Sequence, residues 1–468
     1  MNELLGPGGI AVVMVLFGVL ALAAVLRWPE VLLAVLLTGQ GFISLAFKLV
    51  GVELSRAQFT VIGSVIFLPV VLLMLLTRLF GRGRQREEPP FFGRGTLTFV
   101  LVLVALGLVL ALGEAYTRAP NYGARKLREF VTFGVAPFFL TFLFLPDMKA
   151  VRRLMWWTLL MAGFFVVLAM SYSQVTFGSV FSGARIPDRT FWGPFEIPGT
   201  IELGVRVAIC FQSLLVLTFM ARNKIWRLIA LPFLLVIVGN ILSAGARTGL
   251  VAVFMLAFLT PKLIYRGRWG VSFVSGLVLA LVMAAYFVFT PEQAKARFLQ
   301  PLTSRTSAGI AVGERELAYT KALEMIGKSP LVGWGTGGFA MYTYGMDYEF
   351  FPHNMFLEAW AENGVAGITL LLLLWYLVIG RVYRTYYRMP LSSFGFFAVV
   401  WVSGLLANEF LMGQFHYGIA HAASMFLLIS GVSLKVCALA EHQLRTTDKT
   451  APVVGPALAP AALAAGRV

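Results

Sequence analysis

The stretch PHNMFLEAWAENGVAG, residues 352–367, sets a histidine, an asparagine and two glutamates just before the apolar run ITLLLLLWYLVIG. Polar groups at the mouth of a hydrocarbon-length segment are costly to bury, so they call for a chemical or structural reason. His353 is the group suited to acid–base work, because a neutral imidazole accepts a proton near neutral pH. Asn354 is a good helix N-cap, which sets His353 beside the positive end of a helix dipole and favours the neutral ring. Glu358 and Glu362 lie one helical turn apart. Each could orient the histidine, bind an arginine, or pair with a basic residue purely for structure.

Arginines supply the second kind of chemistry. Arg247 stands in SAGARTGL between two apolar runs, flanked by Gly245 and Gly249. It is either a snorkelling turn residue or a cation facing an anionic substrate at the membrane surface. A guanidinium grips phosphate oxygens in a planar fork, and dry surroundings strengthen that grip. Arg315 opens GERELAYTKALEMI, whose spacing predicts an amphipathic helix over 314–327. It reads either as a solvated helix charge or as a second phosphate ligand. Arg185 and Arg189 lie in GARIPDRTF, and Arg206 follows Glu202 at the spacing of a helical ion pair. His416 and His421 bracket HYGIAH and could join the same site or simply sit at an interface. The glycine-rich PLVGWGTGGF (330–339) has no P-loop lysine and reads as a tight turn delivering the chain to His353.

These residues need a scaffold, and composition names its class. Of 468 residues 59% are hydrophobic, well above the ~45–50% of soluble domains, and mean hydropathy is +0.82. Apolar runs long enough to cross ~30 Å of hydrocarbon recur throughout, so the fold class is an all-α polytopic membrane protein. Spans are expected near 9–26, 31–47, 60–77, 95–113, 129–146, 154–172, 199–220, 227–244, 249–265, 271–290, 355–379, 392–412 and 418–438. Helices therefore fill 1–290, a large external loop with an amphipathic helix follows at 291–354, further spans fill 355–440, and 441–468 is a disordered cytoplasmic tail.

The connections at 78–86, 149–153, 221–227, 265–270 and 381–388 are short and basic and fall after every second span. The positive-inside rule makes them cytoplasmic and puts the histidine and the unusual arginines outside. The external loop at 114–128 nonetheless carries Arg118, Arg125, Lys126 and Arg128. The net charge of +16 reads as a topology signal, not as nucleic-acid binding. Cys210 and Cys437 make neither a disulfide framework nor a zinc site. The four aspartates are far apart in sequence, so there is no DxD pair to hold a cation. The chemistry expected is acid–base catalysis with arginine electrostatics, with no metal and no cofactor. A lipid or polysaccharide transporter is the alternative. It would want charges near mid-membrane in both halves, whereas here they crowd at one face.

The two C-terminal segments resemble the signature of the O-antigen ligase and polymerase superfamily. The matching positions are Pro330, Gly333, Gly335 and Phe339, then His353, Asn354, Leu357, Glu362, Gly364 and Gly367. SAGARTG with Arg247 and GERELAYTKALEMI with Arg315 resemble two further parts of the family pattern. GPFEIPGTIE (193–202) departs from the Pro-Asn often found there. The resemblance implies a GT-C-like membrane fold of about twelve helices with both ends inside, against thirteen spans and an external N-terminus read from the loops. It implies an inner-membrane glycosyltransferase whose site faces the periplasm. Its donor would be a glycan on undecaprenyl pyrophosphate, and its acceptor a glycan or lipid A-core hydroxyl. His353, Arg247 and Arg315 would be catalytic, with Asn354, Glu358, Glu362, Arg185 and Arg189 around the substrate.

Overall fold

The structure is a computed structural model that describes residues 27–38, 94–172, 200–221, 247–266, 269–289, 307–415 and 419–450. These residues form helices, and among them there is no strand. In chain order they are α1 (Glu30–Thr38), α2 (Arg94–Tyr116), α3 (Pro120–Glu129), a π-helical segment (Phe130–Val135), α4 (Ala136–Phe144), α5 (Met148–Tyr172) and α6 (Thr200–Met220). Then come α7 (Arg247–Ile264), α8 (Trp269–Phe289), α9 (Ser307–Lys328), α10 (Gly338–Tyr344), α11 (Met355–Arg388), α12 (Phe394–Phe415) and α13 (Ile419–Thr450). Five stretches among them are long and apolar enough to cross a membrane, the longest being Met355–Arg388. The chain is an all-α polytopic membrane protein. The spans expected at 9–26, 60–77 and 227–244 fall outside the described residues.

Several helices run past the apolar runs that announce them. The span expected from 129 begins at Pro120, and only Thr117, Arg118 and Ala119 separate it from the end of α2. Proline suits a first helical turn, where its missing N–H would be unpaired in any case. The π-helical turn that follows precedes Pro137, which cannot donate the next ladder bond, so the widened turn falls where a regular one would fail. At the other end of the chain, basic residues continue α11 to Arg388 and α13 to Thr450. Lysine and arginine are good helix formers, so a helix need not stop where hydrocarbon stops.

Side-chain contacts give the bundle two distinguishable ends. At one end the Arg152 guanidinium lies 4.5 Å from the Phe394 ring centroid. Arg266 donates to the Met389 carbonyl, and the Tyr386 hydroxyl donates to the Leu263 carbonyl at 2.7 Å. Arg381 pairs with Glu441 at 2.7 Å. The described basic stretches at 149–153, 265–266 and 381–388 therefore share one end. From that end α7 runs back 18 residues to Arg247, about 27 Å at ~1.5 Å per residue. Arg247 thus starts its helix at the opposite end, with the beginning of α11 and the end of α12. Nearer the basic end, a buried amide fastens α6, α7 and α12. Gln212 donates to the Val400 carbonyl at 3.2 Å and accepts from Thr260 Oγ1 at 2.7 Å.

Candidate functional site

The site end is organised by a break in α11. Gly364 has φ 62° and ψ −161°, a combination essentially confined to glycine. A Cβ there would run into the Leu331 carbonyl. The break leaves carbonyls of residues 361 and 362 without ladder partners, and the glycine-rich turn supplies them. Trp334 N donates to Ala361 O at 3.1 Å and Gly335 N to Glu362 O at 2.8 Å, while Val365 N donates to Pro330 O at 3.0 Å. The approach is close enough that a Cβ on Gly333, at φ 80°, would strike the Glu362 carbonyl. The turn at 330–337 and the helix mouth at 355–364 are thus one interlocked unit.

A buried charge cluster fixes that unit to α3. The Lys126 ammonium lies between Glu358, to which it is bonded, and Glu362, at 2.5 Å. All three side chains are at most 1% exposed. One ammonium faces two carboxylates, and the remaining demand is met by backbone donors. Gly337 N donates to Glu362 at 2.9 Å and Phe339 N at 3.4 Å. The Tyr122 ring centroid lies 5.5 Å from the same ammonium. Tyr122, Gly123 and Lys126 form the buried face of α3, which is why a lysine there turns inward.

His353 occupies the last residue before the cap. Its backbone is left-handed, with φ 54°, which is uncommon for a side chain of this size and stores roughly 1–2 kcal/mol of strain. The half-buried imidazole meets the Phe351 ring at 4.8 Å and the Phe350 ring at 6.3 Å, both edge-on. Asn354 Oδ1 caps α11 by accepting from Phe356 N at 3.0 Å and Leu357 N at 3.1 Å. Its Nδ2 donates to Gln414 Oε1 at 3.0 Å, and the Tyr319 hydroxyl donates to the Gln414 carbonyl at 3.3 Å. The segment leading to His353 is held by α3 as well. Asp347 accepts from Asn121 N at 2.9 Å and Tyr122 N at 3.0 Å, capping that helix from 225 residues away. Arg125 pairs with Glu349 at 2.9 Å. Phe350 packs on Phe339 and Tyr344. A strained histidine is therefore held from several sides, which is the condition for such strain to persist.

Residues 231–372 match the family model described as O-Antigen ligase. This match, over about a third of the chain, supports the O-antigen ligase and polymerase superfamily. No curated protein matches the chain. The matched region contains the start of α7, α9, the glycine-rich turn, His353 and the break at Gly364. The match supports a membrane enzyme of the glycosyltransferase type, a family whose substrates are in general lipid-linked glycans.

At and around this helix mouth, the residues singled out from sequence fall as follows. His353 and Asn354 stand together at the mouth of α11. Arg247 is the first residue of α7, at the same end of the bundle. Arg315 lies half-buried in α9, which begins seven residues before the helix start expected at 314. Burial pushes the Tyr319 hydroxyl's pKa up, and the Arg315 charge one turn away pulls against it. Glu358 and Glu362 are buried, and of the partners open to them the observed one is a lysine. Arg206 lies in α6 and His421 in α13. Arg185, Arg189 and His416 fall outside the described residues. Lys126, Asp347, Tyr319 and Gln414 were not singled out. The available signal for Lys126 was its place among the basic residues of a stretch expected to be external. Two of those charges are now accounted for, Lys126 by Glu358 and Glu362, and Arg125 by Glu129 and Glu349.

Proposed function

We propose that the protein transfers a glycan from undecaprenyl pyrophosphate to an acceptor hydroxyl at the outer face of the inner membrane. His353 takes the proton from the acceptor hydroxyl as its oxygen attacks the anomeric carbon in line. The new glycosidic C–O bond forms as the bond from that carbon to the pyrophosphate oxygen breaks, inverting the configuration. Arg247 and Arg315 neutralise the charge that develops on the departing pyrophosphate, electrostatic stabilisation of the oxyanion-hole kind. No metal is required in this scheme. Asn354 sets the helix start beside the histidine. Glu358 and Glu362 act through Lys126 and the glycine-rich turn to hold that mouth in place.

The observation that carries the reading is His353 itself. It is a potential general base in a strained backbone conformation at a helix N-terminus, at the bundle end where α7 begins with Arg247. The end opposite carries the basic stretches, which supports an external site by the positive-inside rule. Arg185 and Arg189 are proposed to contact the substrate as well. Finished glycan passed to lipid A core, repeat units joined to one another, and glycan passed to a protein hydroxyl all fit this chemistry, because all break the same sugar–phosphate bond. The test uses proteoliposomes containing lipid-linked glycan and an acceptor. New glycosidic bonds that disappear in His353→Ala and Arg247→Ala support the reading. Translocation of the lipid without bond formation would replace it with transport.

A further inference from the structure

The turn that locks the helix mouth also presents an apolar tip. Leu331 is 71% exposed and Val332 60% exposed, directly after Pro330 and close to the charged Lys328. Two large aliphatic side chains together at a loop tip gain significance when they continue a larger apolar surface. The neighbouring helix supplies one. On α2 the residues Leu101, Leu108, Leu112 and Tyr116 are exposed along one face, the lipid face of a membrane span. That span, Gly95–Tyr116, has 22 residues, about 33 Å at ~1.5 Å per residue, so Tyr116 stands at one edge of the ~30 Å hydrocarbon layer. The Tyr116 hydroxyl donates to the Val332 carbonyl at 2.7 Å, which sets Val332 at that same depth.

Backbone pairing points the same way. Where irregular backbone approaches lipid, pairing of its polar groups within the protein lowers the cost, and several groups of this turn are so paired. The Pro330 carbonyl accepts from Val365 N at 3.0 Å and from Trp360 Nε1 at 3.2 Å. Gly333 N donates to Ser329 O at 3.1 Å, and Ser329 Oγ donates to the Gly333 carbonyl at 3.1 Å. Trp334 N and Gly335 N bond to α11 carbonyls. Side-chain donors from a tyrosine and a tryptophan on these carbonyls would be superfluous in water. Both are residue types that collect at membrane interfaces, and Trp360 and Tyr116 are themselves partly exposed.

We infer that Leu331 and Val332 insert into the bilayer interface. The glycine-rich turn then acts as a lipid-embedded anchor that sets the depth of the His353 loop relative to the membrane. The occupant of this patch is lipid, because the patch continues the lipid face of α2. Lys328 and its partners Glu324 and Tyr342 would mark the aqueous side just above it. The inference rests on the membrane-spanning fold alone, so its failure would leave the glycosyl-transfer reading untouched.

The test places a nitroxide at Leu331→Cys and, separately, at Val332→Cys in the full chain. The protein is reconstituted in phosphatidylethanolamine/phosphatidylglycerol vesicles. The native thiols Cys210 and Cys437 are both buried, so the label reports the introduced site. Collision rates with oxygen, which concentrates in lipid, are compared with those of a water-soluble nickel chelate. Leu108→Cys serves as the lipid control and Lys328→Cys as the aqueous control. The expected result is oxygen contact well above nickel contact at 331 and 332, close to the pattern at 108. Nickel contact like that at 328 would overturn the inference. Shielding from both reagents would also overturn it, in favour of a contact with a second copy. A monodisperse chromatographic profile for each labelled variant shows that the chain is folded when measured.

Discussion

Removing the Lys126 ammonium should be among the most damaging single substitutions outside the chemistry. In Lys126→Met the side-chain volume is nearly kept, but Glu358 and Glu362 are left fully buried without their cation. Breaking a buried pair by deleting one partner costs about 3–5 kcal/mol, because the orphaned charge stays out of water. Glu362 keeps its bonds from Gly337 N and Phe339 N, which moderate the loss at that carboxylate. The same logic predicts a rescue. Adding Glu358→Gln and Glu362→Gln to Lys126→Met removes the uncompensated charges and should recover most of the stability. Unfolding of purified protein in micelles, followed by tryptophan fluorescence, measures both effects. If Lys126→Met lay within about 0.5 kcal/mol of wild type, the range of ordinary surface changes, or if the triple variant were no better than the single, the cluster would not be the fastening described here.

Further outcomes follow from other contacts. Gly364→Ala should disrupt the helix mouth, since its Cβ meets the Leu331 carbonyl and its backbone is confined to glycine; loss of transfer with retained membrane insertion would show it. His353→Gly should be more stable than His353→Ala by about 1–2 kcal/mol, because glycine relieves the left-handed strain, while both lose the base. Asp347→Ala should cost about 1 kcal/mol through loss of the α3 cap and raise protease sensitivity near residue 347. Hydrogen bonds from Lys321, Lys328 and Tyr342 lower the Glu324 pKa from 4.5 to about 2. Its folded value lies below the unfolded one, so its contribution is full above pH 4.5 and is lost as pH falls toward about 2. Glu324→Gln should remove that acid-dependent step from a titration of local proteolysis around α9 and α10.

The helices and the two glycine and histidine segments were legible in the sequence for different reasons. Apolar runs announce spans because the bilayer demands length and hydrophobicity, but they hide the ends. Basic residues such as those at 381–388 carry the helix onward beyond hydrocarbon. Asn354 was readable as a cap because capping is a local matter of residue type. The interlock of Gly333 with Glu362 and of Gly364 with Leu331 was not readable. The two segments are recognisable, yet nothing in either says that one caps the break in the other. Lys126 lies 232 residues from Glu358 and among other basic residues, so its inward turn depends on tertiary packing. Asp347 capping α3 is hidden for the same reason.

The central claim is that His353 is the general base, and a single-turnover measurement tests it most directly. Lipid-linked glycan and acceptor are mixed with His353→Ala protein in vesicles, and the first-order rate of glycosidic bond formation is compared with wild type across pH. A positioned base contributes about 10²–10⁴-fold, so the variant should be slower by that order and should lose the wild-type rise in rate as the imidazole becomes neutral. A folded His353→Ala protein with the wild-type rate and the wild-type pH profile would contradict the account.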